Sequence, residues 1–347
     1  MAVATAPTPR GAVPATPSAP GAPTSWRVAH PLLSLVARRG LAGIVTLLAV
    51  SIVVFFATQI LPGNAAYSVL GRTATPGRLH ALELQLHLNR PKLDQYWVWL
   101  SGLLTGRLGN SLADGLPIWG VIEPRLVDSS ALVFISGAIG TVLGVAFGAV
   151  AALRKDSWFD HISSVVALAV TALPEFVIGI GLIILFSIDV FHIVPAVSFL
   201  PAGTYFWNAP KLLILPVATL TIVIIPYIYR MMRAAMVEAL ESEYVEMARL
   251  KGVPSGRLVI KHALPNAIAP TIQVVGLNFL YLAGGIVIVE NVFGYPGIGQ
   301  GLYFAVQNRD IPEIQLIVLI LAAFYVFMNI VTDVIALLAT PRRRIAR

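Results

Sequence analysis

Cysteine is absent from the 347 residues, which excludes a disulfide framework and any thiolate metal site. Charge is nearly as scarce. Asp, Glu, Lys and Arg make up 12% of the chain, where a soluble domain carries about 25%; hydrophobic residues reach 57% and mean hydropathy is +0.81. A water-soluble fold of this length would need far more surface charge, so the composition is that of an integral membrane protein. Motifs of several chemistries are missing too. No Gly-Lys pair occurs, hence no phosphate-cradling GxxxxGK[ST] loop, and neither HExxH nor GxSxG is present. His80 and His87 lie seven apart without a nearby carboxylate and read as surface polar residues. No catalytic residue and no metal ligand set is expected.

What is present is a succession of long apolar runs. Six are long enough to span a bilayer as helices, at about 41–61, 130–153, 162–188, 212–229, 271–289 and 314–338. The third carries Pro174 and Glu175 in its middle, so it is expected to be kinked, tilted or split. The net charge of +7 raises nucleic acid as a partner, but the Lys and Arg border the apolar runs and form no base-reading motif. They report orientation instead. Arg38, Arg39, Arg154, Lys155, the basic residues of 230–261 and Arg342–Arg344 fall on one side, while 189–210 and 290–313 hold only Arg309. That asymmetry places both termini in the cytoplasm.

Residues 1–30, Ala- and Pro-rich, are expected to be a disordered cytoplasmic tail. They are not read as a signal peptide, since the run from Leu41 to Leu61 exceeds an h-region. The domain reading continues with a first transmembrane helix in 31–62, an extracytoplasmic segment with short helices in 63–128, and a core of five transmembrane helices in 129–347. In the outer segment Leu79, Leu82, Leu86 and the Tyr96, Trp97, Trp99, Leu100 group recur at near-helical spacing. They suit amphipathic helices at the membrane surface or a docking face for an outside partner.

Ionisable residues within the spans are few: Glu175, Asp189 near a boundary, Glu290 at the outer end, and Asp333. A glutamate beside a proline either caps freed amides or faces a water-filled path. The glycines of 294–301 (GYPGIGQG) follow a transmembrane run, not a strand, and are spaced GxGxG, so a dinucleotide loop is rejected. The charged stretch between the fourth and fifth spans is the chief polar interruption. Leu240, Tyr244, Met247 and Lys251 share one helical face with Ala248 beside them. Gly252 sits at a left-handed cap position, Pro254 forbids continuation, and Ser255 can cap a second short helix toward His262. Such a bent element either lies on anionic lipid or docks into a groove of another protein.

From Tyr244 to Pro270 the chain resembles the EAA loop of ABC importer permeases, matching at Glu246, Ala248, Gly252 and Leu264–Pro265. It is most similar to the peptide/nickel permease family, first-subunit type, through Tyr244, Val245, Ala248, Lys251, Gly252, His262, Ala263, Leu264 and Asn266. Leu61–Pro62–Gly63, the GRLGNS stretch at Gly106–Ser111, Pro174–Glu175–Phe176, and Glu290–Phe293 with Pro296–Gly299 extend the likeness over residues 31–347. The chain departs from that pattern at Arg107, where the family has Asp, at Pro265 before Asn266, and at Thr340–Pro341–Arg342 in place of Asp-Pro-Arg.

The resemblance implies an all-α type I ABC importer permease fold with six transmembrane helices, in the plasma membrane of a prokaryote. Tyr244, Val245, Glu246, Met247, Ala248, Lys251 and Gly252 would meet the ATPase, within a coupling loop of 238–268. Pro254, His262, Leu264, Pro265 and Asn266 would shape that loop, and Glu175, Glu290, Pro296, Gly297 and Gly299 would belong to the translocation path or its gate. The implied partners are a second homologous permease, two ATP-binding subunits that hold ATP and Mg, an extracytoplasmic solute-binding protein, and membrane lipid. The subunit itself would be non-catalytic and bind no cofactor. Peptides, glutathione, nickel complexes and opines all stay open as solutes. The competing expectation is a stand-alone secondary carrier or channel in which Glu175 handles a proton or cation.

Overall fold

The structure is a computed structural model that describes residues 31–60, 75–77, 80, 90–200 and 205–339. The tail at 1–30, Leu61–Pro62–Gly63, Leu79, Leu82, Leu86, His87 and Thr340–Pro341–Arg342 lie outside the described residues. Everything long in the rest is helical: α1 (Pro31–Ile60), α2 (Lys92–Leu104), α3 (Ile118–Leu153), α4 (Trp158–Thr171), α5 (Glu175–Ile183), α6 (Ile214–Leu240), α7 (Glu243–Leu250), α8 (Ser255–Leu258), α9 (Leu264–Phe293), α10 (Ile298–Asn308) and α11 (Ile311–Ala339).

Five of the described helical segments are long and apolar enough to cross a membrane. They are α1, α3, α6 with its preceding turn, α8 running into α9, and α11. The expected third span is broken. α4 and α5, the latter prolonged to Ile188, meet at 103°. Pro174 has no N–H to continue the ladder and disfavours helical geometry at Leu173, so the chain turns there. The two halves count as one bent span, giving six.

Two boundaries differ from expectation. α3 starts at Ile118, so the last ten or so residues assigned to the outer segment belong to the second span's helix. Pro124 does not stop it, because its missing bond falls on the carbonyl of Gly120, which is exposed. Likewise α6 continues through Arg230 and Arg233 to Leu240, so these arginines lie within the helix rather than in a loop. At 1.5 Å per residue its 27 residues reach about 40 Å, beyond the ~30 Å hydrocarbon layer.

α3 and α6 form the central pair, joined by α9, which α11 and then α1 flank. The α3–α6 approach depends on small residues. A Cβ on Gly144 would stand 2.8 Å from Ile228 Cβ, and one on Gly148 would stand 2.7 Å from the Tyr229 carbonyl. Glycines at 140, 144 and 148 recur every four residues on one stripe, letting two backbones come close without lipid between them. Leu132, Ile224, Ile228, Leu282, Ile286 and Phe293 fill the core beside this contact. Side chains such as Leu41, Val53 and Val142 are exposed outward, as a lipid-facing surface requires.

Of the outer segment, α2 packs on α1. Tyr96 and Leu100 are buried against Phe55, and the Tyr96 hydroxyl bonds Ser51 at 2.8 Å, while Trp97 stays exposed. His80 is exposed. The loop after α2 is tied down at Ser111, which donates to the Asp310 carboxylate between α10 and α11.

Candidate functional site

The charged stretch folds as a helix, a glycine bend and a second helix. α6 ends at Leu240 and the chain turns over Glu241–Ser242, so the face drawn from Leu240 through Lys251 is interrupted after its first member. α7 then runs over eight residues, with Glu243 and Glu246 in its first turn and Arg249 in its last, a charge order that suits the helix dipole. It closes in a Schellman arrangement. Val253 N–H bonds the Ala248 carbonyl at 3.2 Å, Gly252 N–H bonds that of Arg249 at 3.0 Å, and Gly252 has φ +76°. Ser255 does not cap the next helix; it is the first residue of α8, and Pro254 precedes it in extended geometry. Pro265 occupies the opening turn of α9, where an N–H is not needed.

Burial sorts the residues of α7. Val245 is fully buried and turned toward the rest of the chain, so it anchors the helix and offers no contact surface. Tyr244, Glu246, Met247, Lys251 and Gly252 are exposed, and Ala248 is half-buried. Leu250 is 77% exposed and Met247 53%, a bare apolar pair on an otherwise charged element. Leu250 escaped the sequence reading because it falls off the face begun at Leu240; restarting the wheel at Glu243 would have found it.

Three residues of the stretch are brought together by folding. Asn266 Nδ2 donates to the Tyr244 hydroxyl at 3.0 Å and to the His262 carbonyl at 2.7 Å, and Tyr244 donates to that same carbonyl at 3.4 Å. The phenol of α7 is thereby fastened to the first turn of α9. A second fastening lies where α6 leaves the membrane. Arg233 grips Asp160, the buried acid at the start of α4, through two bonds of 2.5 and 2.6 Å, and Lys155 pairs with Glu241 at 2.5 Å. α7 is thus tied to the start of α9, and the end of α6 beside it to the start of α4. Sequence reasoning missed Asp160, since nothing local marks its partner 73 positions on.

The residues assigned to a path or gate part company. Glu290 is fully buried and faces no open path. It accepts from Ser129 Oγ at 2.5 Å and from the Gly299 and Gln300 N–H groups at 2.8 and 3.0 Å, while Ile298 N–H bonds Ser129 Oγ. A carboxylate set against the first free amides of α10 is a cap for that helix. Gly297 and Gly299 are small for packing reasons: a Cβ on Gly297 would overlap the Glu290 carboxylate, and one on Gly299 would stand 2.5 Å from Val287 Cα. Pro296 leads into the same turn. Glu290, Pro296, Gly297 and Gly299 therefore hold the outer end of α9 to α10. Glu175 differs. It opens α5 at the bend, half-exposed, and accepts a 3.0 Å bond from Tyr281.

A family model described as "Binding-protein-dependent transport system inner membrane component" matches residues 144–345, and the corresponding N-terminal model matches residues 32–122. The dipeptide transport system permease protein DppB of Alkalihalophilus pseudofirmus is 32% identical over 337 residues, covering 90% of this chain and 99% of that protein. A probable peptide ABC transporter permease protein of Sinorhizobium fredii is 33% identical, covering 88% and 98%. The glutathione transport system permease protein GsiC of Escherichia coli is 33% identical, covering 90% and 99%.

Proposed function

The chain belongs to the inner membrane component family of binding-protein-dependent transport systems and is a permease subunit of an ABC importer; from that premise we propose that it forms half of a path for short peptides across a prokaryotic plasma membrane. The other half is a second, homologous permease. Two cytosolic ATPases hold ATP and Mg, an extracytoplasmic binding protein delivers the solute, and this subunit does no covalent chemistry. The observation that carries the reading is the exposed Met247–Leu250 pair on α7, bound through Tyr244 and Asn266 to the start of α9. A groove in an ATPase would cover that pair, and its closure on ATP would pull the spans between two discrete arrangements. Lipid suits the element less well, since three glutamates, Glu241, Glu243 and Glu246, outnumber the basic Arg249 and Lys251 beside the pair.

Affinity purification of the full chain from its native membrane is expected to bring down a second permease and two proteins with Walker motifs. ATP hydrolysis by that assembly should rise when peptide-loaded binding protein is added. Recovery of this chain alone, active in liposomes without ATP, would reverse the conclusion in favour of a stand-alone carrier. The link from α7 to α9 is open to a milder test. Asn266→Ala removes its two exposed side-chain bonds, each worth about 0.5 kcal/mol, and should lower uptake roughly fivefold while ATPase co-purification persists. Loss of co-purification together with uptake would show that Asn266 merely shapes the docking surface.

A further inference from the structure

Along one open face of the molecule, an acid and a base are set in series, neither with an ionic partner among the described residues. Glu175 accepts from the Tyr281 hydroxyl at 3.0 Å, the Tyr281 and Tyr227 rings lie 6.1 Å apart, and the Arg230 guanidinium stands over the Tyr227 ring at 5.8 Å. Tyr227 and Arg230 come from α6, Tyr281 from α9 and Glu175 from the bend before α5. Among the described residues no basic side chain pairs with Glu175 and no acidic one with Arg230. Below Glu175 the face hollows into a groove of about 570 Å³, whose lining includes Tyr227, Arg230, Leu277, Asn278 and Tyr281.

An ionised side chain facing lipid at the centre of a span costs about 2.5–3.5 kcal/mol or more. Glu175, half-exposed in the middle of the bent span and without a basic partner, marks this face as wet or covered by protein, and Arg230 borders the same face one turn from where α6 leaves the membrane. The groove is also half a site, closed on the α6–α9 side only. Resting on the peptide-path reading, we propose that this strip recognises the zwitterionic backbone of a short peptide. Glu175, positioned by Tyr281, takes the terminal ammonium; Arg230, braced on Tyr227, takes the terminal carboxylate. The two rings and Leu277 cover the peptide's side chains with flat or flexible apolar surface, which sets no strong preference among them. The chain of contacts between the charges is short enough for a few extended residues at about 3.3–3.6 Å each.

The test uses the full importer in proteoliposomes with three forms of one tripeptide: free, N-acetylated and C-amidated. Each variant is normalised to the wild type on the same peptide, so the binding protein's own preference cancels. Glu175→Gln should cost the free and C-amidated peptides about tenfold and leave the N-acetylated one within twofold. Arg230→Gln should cost the free and N-acetylated peptides about tenfold and spare the C-amidated one. Membrane abundance and co-purification of the ATPases should match the wild type in both, which separates a recognition defect from misfolding. Equal losses on all three peptides, or none, would overturn the assignment while leaving the peptide path intact. A wild-type importer that takes up no peptide would instead overturn the peptide reading itself. Should either variant prove unstable, Tyr281→Phe keeps the ring and removes only the bond to Glu175; it must then weaken free and C-amidated peptides more than the N-acetylated one, or the proposal fails.

Discussion

Placing arginine at both Met247 and Leu250 is expected to leave the subunit in the membrane at near wild-type abundance and to lower ATP-driven uptake at least a hundredfold. Both side chains are exposed, so neither change opens a cavity or strains the chain. What they alter is the surface offered to the cytosolic partner. Burying two apolar side chains in a groove is worth about 1.5–3 kcal/mol each, and the charged replacements must also be desolvated there. Together these weaken association by about a thousandfold. Gly252→Asp is the companion change. Gly252 has φ +76° and a Cβ there meets nothing within 4 Å, and Asp is among the few residues that tolerate this backbone region. The bend should therefore survive the substitution, and a transport defect would come from the altered contact surface. Membrane vesicles assayed for uptake, alongside immunoblots of subunit and co-purified ATPase, decide the matter. Normal uptake in the double variant would remove α7 from the coupling mechanism.

Gly297→Ala is expected to be strongly damaging for a single added methyl group on the outer side. The backbone there is ordinary, with φ −92°, so the damage is steric. The new Cβ would occupy the space of the Glu290 carboxylate, a group pinned between Ser129 and two amides of α10. Displacing it leaves a buried carboxyl, the Ser129 hydroxyl and two N–H groups of α10 unpaired, a loss of about 3–5 kcal/mol. Thermal unfolding of the detergent-purified assembly should show a markedly lowered midpoint. Gly284→Ala, whose Cβ meets nothing within 4 Å, should behave as wild type, and Gly301→Ala, which meets only the flexible end of Arg125 at 3.0 Å, should cost little. A normal midpoint for Gly297→Ala would mean that α10 is held by something other than this carboxylate.

Much of the molecule could be read along the chain because its signals are local. Apolar runs gave the spans, Pro174 gave the break, and Gly252 followed by Pro254 gave the bend of the cytosolic element. The site was half legible. The α7 stretch is continuous in sequence, so several of its exposed residues were found together, though not Glu243, Arg249 or Leu250; Val245 was grouped with them although its side chain points inward. Glu290 shows the opposite case. A lone glutamate at a span's outer end carries no mark of whether it faces a path or a helix terminus.

The amino-acid sequence by itself determined that this protein crosses a membrane several times, carries no GxxxxGK[ST] loop, and interrupts its apolar runs with a short, bent, charged element. Those outcomes follow from composition and from spacings of a few residues, within reach of a single helical turn or two. Only the tertiary structure decided that Asp160 meets Arg233, that Glu290 caps α10, and that Tyr281 and Tyr227 connect Glu175 to the open groove lined by Arg230. Helix packing brings together side chains 50 to 160 positions apart, and whether a carboxylate there becomes a clamp or a binding group depends on the amides, hydroxyls and water that packing leaves around it.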